Sequence, residues 1–168
     1  MRRMIFGGLL GLLLFGMPGT GCITAGEKST LTWLKFDEAM LKARQENKKV
    51  LIDVYTTWCG WCKKMDADTY SDTLLAPYLS RHFVLVKLNA ESDAALNYKG
   101  EASTEQGLAG SFGVNGYPTT IFLTSAGEPI TATPGYMDAA TFRTLASFIG
   151  EDYYLTMKYD EYAKAQQK

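Results

Sequence analysis

Cys59 and Cys62 stand three positions apart in the run Trp58-Cys59-Gly60-Trp61-Cys62-Lys63-Lys64. At that spacing two thiols lie within one turn of a helix, so a disulfide between them can open and close without large backbone movement. The chemistry this predicts is thiol–disulfide exchange. Two blander readings stand beside it: half of a zinc site, and a static structural disulfide. A zinc site takes about four ligands, and Cys22 and His82 are the only other Cys or His residues in the chain.

The elements around the pair follow from the residues flanking it. Val50-Leu51-Ile52-Asp53-Val54-Tyr55 reads as a short buried strand, apolar and β-branched, with one acid inside it. A helix from Gly60 to Ala67 follows. Its N-terminus would offer unpaired N–H groups and partial positive charge to a thiolate at Cys59, which Lys63 and Lys64 would favour slightly. Upstream, Leu31–Leu34 reads as an edge strand. Asp37 reads as the N-cap of a helix carrying Phe36, Ala39, Met40 and Ala43 on one face, stopped at Asn47. Downstream come a helix over Thr73–Arg81, with Leu74, Leu75, Tyr78 and Leu79 as its apolar face, and a strand over Phe83–Asn89. Ala90–Thr104 is polar and contains glycine, and it reads as a loop or poorly ordered insertion. Then follow a short helix over Glu105–Phe112, strands over Thr119–Leu123 and Ile130–Thr133 joined by a turn, and a helix from Ala139 to Ile149 capped by Asp138. The tyrosine-rich tail predicts one more short helix. This order implies an α/β protein with a mixed central sheet and helices on both faces.

The chain has 168 residues, enough for one domain plus a leader, and 46% of them are hydrophobic, which argues against disorder. A net charge of −1 leaves no basic excess to neutralise phosphates, so no nucleic-acid partner is expected. Arg2 and Arg3 precede an apolar run from Met4 to Met17 and then Pro18-Gly19-Thr20-Gly21-Cys22. This is the layout of a secretory signal over residues 1–21, and the run is short for a membrane span, which needs about 20 apolar residues. Cys22 stands where a bacterial lipoprotein is cleaved and acylated, although Gly19 occupies the position where a leucine is usual. Lipidation at Cys22 and ordinary cleavage nearby both stay open, and a lipid there would be the protein's one membrane contact. Residues 22–30 form a polar spacer, and the domain is expected over 31–168 with a short C-terminal helical extension.

From about Lys48 to Gly150 the chain resembles the thioredoxin superfamily, most of all exported thioredoxin-like proteins and the C-terminal domain of DsbD. The resemblance rests on the W-C-x-x-C-K run from Trp58 to Lys63, on Asp53 six positions before Cys59, on Lys87 within Val86-Lys87-Leu88-Asn89, and on Gly116-Tyr117-Pro118-Thr119-Thr120 before a strand. Gly135 matches the glycine late in the fold. Gly60-Trp61 departs from the dipeptides of thioredoxins, DsbA-like oxidants and disulfide isomerases, which bears on redox poise.

The resemblance implies a thioredoxin fold and a catalytic set of Cys59, Cys62, Asp53 and Lys87. Cys59 would be the exposed nucleophile and Cys62 the more buried resolving thiol. Asp53, with its pKa raised by burial and tuned by Lys87, would accept the Cys62 proton; the alternative is an acid paired with Lys87 for structural reasons alone. Pro118 is expected to be cis, with Trp58, Gly60, Trp61, Tyr117 and Pro118 binding an extended cysteine-containing segment. No metal or other cofactor is implied. The function expected is an exported thiol–disulfide oxidoreductase that reduces disulfides in exported, cysteine-containing proteins and is fed by a DsbD-like redox partner. A dithiol oxidase that introduces disulfides, and a non-catalytic client-binding module, are the alternatives.

Overall fold

The computed structural model describes residues 31–166. The signal sequence over 1–21, Cys22 and the spacer over 22–30 lie outside the described residues. Five strands make the main sheet: β1 (Trp33–Leu34), β2 (Lys49–Tyr55), β3 (Phe83–Asn89), β6 (Thr119–Leu123) and β7 (Pro129–Pro134). Their order is β1-β3-β2-β6-β7, with β1, β3 and β2 parallel and β6 and β7 antiparallel additions. Alternation along the strands divides the core in two. Val50, Ile52 and Val54 of β2 join Val84, Val86 and Leu88 of β3 on one face, under α1 (Phe36–Glu46) and α4 (Glu105–Ser111). Leu51, Phe83 and Leu85 point to the other face, under α2 (Gly60–Asp68), α3 (Leu75–His82) and α5 (Ala139–Gly150). Asp53 and Lys87 fall in the same alternation as Leu51 and Leu85 and are direct cross-strand partners, so both are carried to the face that α2 covers.

Several local details differ from the sequence reading. Lys35, not Asp37, occupies the N-cap of α1, and the Asp37 carboxylate instead accepts a hydrogen bond from the Asn97 backbone N–H at 2.9 Å. Leu74 is exposed and precedes α3, whose first turn is held by Asp72 accepting from the Leu74 and Leu75 backbone N–H groups.

The larger correction concerns 90–104, which is an ordered antiparallel hairpin of β4 (Ala95–Tyr98) and β5 (Glu101–Thr104). Lys99 and Gly100 both take positive φ at its tip, 55° and 89°, the backbone that a two-residue hairpin turn demands. Leu96 is buried against the α1 side of the core, and the Tyr98 ring meets Phe36 and Phe112 at 6.0 and 5.6 Å between centroids. Leu96 and Tyr98 thus alternate inward in a stretch that otherwise reads as polar.

The tail holds a 3-10 turn (Tyr153–Leu155) and α6 (Tyr159–Gln166). Tyr162 is buried there, 5.4 Å from Phe148 and 4.7 Å from Tyr153 between ring centroids. Among the described residues no helix is long and apolar enough to cross a membrane.

Candidate active site

The turn that leaves β2 delivers Cys59 to the N-cap of α2, where its extended backbone (φ −68°, ψ 105°) lets the side chain face the first turn. Cys59 and Cys62 are joined by a disulfide with their Cα atoms 5.3 Å apart, and the Cys62 backbone N–H donates to Cys59 Sγ at 3.0 Å. That N–H is one of the donors a helix start leaves without an intrahelical partner, so the sulfur fills a capping role. A thiolate at Cys59 would receive the same donor and the positive end of the helix. As whole residues both cysteines are buried in this disulfide state, Cys59 4% exposed and Cys62 3%. What distinguishes them is position, one capping the helix and the other inside its first turn.

Aromatic rings flank the pair. Trp58 is 66% exposed and Trp61 58%. Trp58 meets the half-buried Tyr117 edge-to-face at 5.9 Å, and its indole N–H donates to Glu91 Oε1 at 2.8 Å. Trp61 leans on Tyr136 at 5.4 Å, and Lys64 Nζ lies 5.6 Å from the same Tyr136 ring. The Tyr117–Pro118 peptide bond is cis, and the Pro118 carbonyl accepts from the Gly135 backbone N–H at 2.8 Å. Gly135 turns there with φ +96°, which favours glycine. Gly60 is exposed with open space around it, so no contact requires a glycine at that position.

Beneath α2, Lys87 Nζ pairs with Asp53 Oδ2 at 2.5 Å and also with Asp66, one turn beyond Cys62. Two carboxylates therefore share one ammonium, and Asp53 lies on the sheet face that α2 covers. Asp53 is almost fully buried, and its Oδ1 has no hydrogen-bond partner among the described residues. Burial holds its carboxyl above the usual range, with Lys87 pulling the other way. Burial also works to lower the Lys87 pKa, but Asp53 and Asp66 outweigh it and the ammonium is held above its ordinary value. The Tyr70 hydroxyl lies beside Asp53 and Thr120 without the geometry of a hydrogen bond to either, and burial followed by the Asp53 charge raises its pKa well above the phenol range.

The structure thus joins Cys59 to Cys62 and Asp53 to Lys87, links Lys87 to the cysteine-bearing helix through Asp66, and sets Trp58 against Tyr117 at the cis Pro118 bond. Sequence reasoning missed Asp66, Tyr70, Glu91 and Tyr136. Asp66 had a signal, because it stands four residues after Cys62 on the same helix. Tyr70 and Tyr136 arrive from loops with no periodic signal. His82 ends α3 and stacks on Tyr78 at 4.2 Å, and among the described residues no three His, Cys, Asp or Glu side chains come together to hold a metal ion.

A family model for the thioredoxin-like domain matches residues 36–150. DsbD from Yersinia pestis, named a thiol:disulfide interchange protein, is 34% identical over 102 residues, covering 60% of this chain but only 16% of that protein. A proposed disulphide isomerase from Bacteroides thetaiotaomicron is 31% identical in a solution structure with a TM-score of 0.58, covering 76% of this chain and 98% of that one. The oxidised C-terminal domain of Neisseria meningitidis DsbD shares the fold at a TM-score of 0.53 and 22% identity, over 69% of this chain and 97% of that one. The chain belongs to the thioredoxin-like family, whose relatives include thiol:disulfide interchange proteins, and it carries a disulfide-forming Cys59–Cys62 pair.

Proposed function

We propose that the protein is an exported reductant that gives two electrons to disulfides in other exported proteins. The observation that carries this direction is the charge beneath α2, where Asp53 and Asp66 share the single ammonium of Lys87. Excess negative charge below the active helix disfavours a thiolate there, favours the disulfide form, and so makes the dithiol the better electron donor.

In the cycle, the Cys59 thiolate attacks one sulfur of a substrate disulfide, forming a mixed disulfide and expelling the other substrate sulfur as a thiolate. Asp53 takes the proton of Cys62, whose sulfur attacks Cys59 Sγ. The bond between Cys59 and the substrate breaks, the Cys59–Cys62 disulfide forms, and the second substrate sulfur leaves as a thiolate. The substrate is reduced by two electrons and the protein oxidised by two. Return to the dithiol requires a donor dithiol, for which a DsbD-like membrane reductase is the proposed source. Trp58, Trp61 and Tyr117 offer apolar surface to an extended segment entering beside Pro118. The basic, apolar leader from Arg2 to Met17 supports export, and an acylated Cys22 would tether the domain to a membrane surface.

One observation favours the opposite direction: the Cys62 N–H donated to Cys59 Sγ stabilises a thiolate, as an oxidant would need. Measuring the reduction potential of the Cys59–Cys62 pair against glutathione decides between them. A value near thioredoxin's, about −270 mV, supports the reductant. A value near DsbA's, about −120 mV, makes the protein a disulfide donor instead.

A further inference from the structure

Lys87 is unusual in what surrounds its ammonium. Besides Asp53 and Asp66, the nitrogen lies 4.9 Å from the Trp33 ring centroid, 5.4 Å from Tyr55 and 5.3 Å from Tyr70. Each ring is brought by a different route. Trp33 sits in β1, the short edge strand whose pairing with β3 sets Trp33 against Leu85, two residues from Lys87. Tyr55 ends β2, and Tyr70 follows α2, its ring wedged edge-to-face between Trp33 at 5.0 Å and Phe142 at 5.5 Å. All three centroids fall within the roughly 6 Å over which a ring face attracts a cation.

We propose that Trp33, Tyr55 and Tyr70 form an aromatic cage that holds the Lys87 ammonium against Asp53, which makes Trp33 and Tyr70 positioning residues for the proton transfer that accompanies resolution at Cys62. This inference rests on the reading of Asp53 as acceptor of the Cys62 proton. A long lysine chain that reaches a buried carboxylate loses rotamer freedom, and water at the site's mouth competes for its charge. Walls that attract the ammonium while excluding water oppose both losses. The charged and titratable groups facing the centre are Asp53, Tyr55, Asp66, Tyr70 and Lys87, with Cys62 one turn before Asp66 on the overlying helix. Of these only Lys87 is cationic. Loosening it therefore leaves Asp53 with burial and the Asp66 charge, both of which favour the protonated form. A protonated Asp53 cannot accept a proton, so resolution would need a higher pH.

The test is the pH profile of insulin reduction by the dithiothreitol-reduced protein, compared among wild type, Trp33→Leu, Trp33→Phe, Lys87→Met and Asp53→Asn. Trp33→Leu should move the ascending midpoint upward by about half to one pH unit, and Trp33→Phe, which restores a ring, should return most of that shift. Lys87→Met should shift it the same way, and adding Trp33→Leu to Lys87→Met should shift it no further. A Trp33→Leu profile that coincides with wild type while Lys87→Met shifts overturns the cage and leaves the role of Asp53 standing. An Asp53→Asn profile with an unchanged midpoint overturns that role and the cage with it. Should the Trp33 variants not fold, proton NMR of the unsubstituted protein decides: Lys87 Hε resonances moved upfield by the ring currents support the cage, and unshifted resonances overturn it.

Discussion

At the scale of the residue, the most consequential group is Asp53, an acid placed where water cannot reach it. Its carboxyl is held above the ordinary range by burial, so ionising it is less favourable in the fold than in the unfolded chain. The linkage follows in sign. Below the unfolded value, about 3.9, both states are protonated and the group costs nothing. As pH rises through the folded value, stability is lost, because the unfolded chain releases its proton more readily. Asp53→Asn should therefore raise the melting temperature at pH 7, by on the order of 5 °C, with the gain disappearing near pH 3. Thermal melts followed by circular dichroism at the two pH values check this; an equal gain at both would mean that charge is not the cause. The same substitution should impair turnover, an exchange of stability for chemistry that is common where a site holds a group its surroundings disfavour.

At the scale of the element, the hairpin β4–β5 shows what binary patterning can hide. Leu96 and Tyr98 alternate correctly for a strand, but four residues give too short a period to stand out from polar neighbours, and Lys99-Gly100 is a weaker turn signal than Asn-Gly. The hairpin's order comes from tertiary contacts: Leu96 in the core, the Tyr98 hydroxyl donating to the Gly127 carbonyl at 2.9 Å, and the Asn97 N–H donating to Asp37. Leu96→Ala should destabilise the protein by about 2–5 kcal/mol in chemical denaturation. A loss near zero would mean that 90–104 does not pack as a folded element. By contrast, β2, β3 and β6 were readable because each is a largely apolar or β-branched run of strand length, interrupted inside only by Asp53 and Lys87. Those interruptions marked half of the candidate site. Tyr70 and Trp33 left no such mark, because they meet Lys87 only after separate elements have packed, and no spacing within a single segment records that meeting.

At the scale of the whole molecule, the family match ends at residue 150 while the fold continues. The extension brings Tyr159 and Tyr162 onto Phe148 of α5, with ring centroids 5.5 and 5.4 Å away. Truncation after Gly150 should therefore lower stability by roughly 2–4 kcal/mol through loss of buried aromatic surface. The rate of disulfide exchange per folded molecule should stay unchanged, since the described part of the extension packs mainly on α5; urea melts and insulin assays on the truncated chain read the two separately. The disulfide itself contributes to this balance in an unusual way. Most crosslinks that hold a protein together tie distant parts of the chain, and loop-closure entropy makes a 100-residue loop worth about 4.7 kcal/mol. The loop between Cys59 and Cys62 spans a sequence separation of 3, so the same relation gives only about 2 kcal/mol. Opening the bond removes little constraint from the unfolded ensemble, and the two-sided core around the five-stranded sheet carries the architecture in either redox state. The sulfurs can trade partners many times over while the scaffold that aims them keeps one shape.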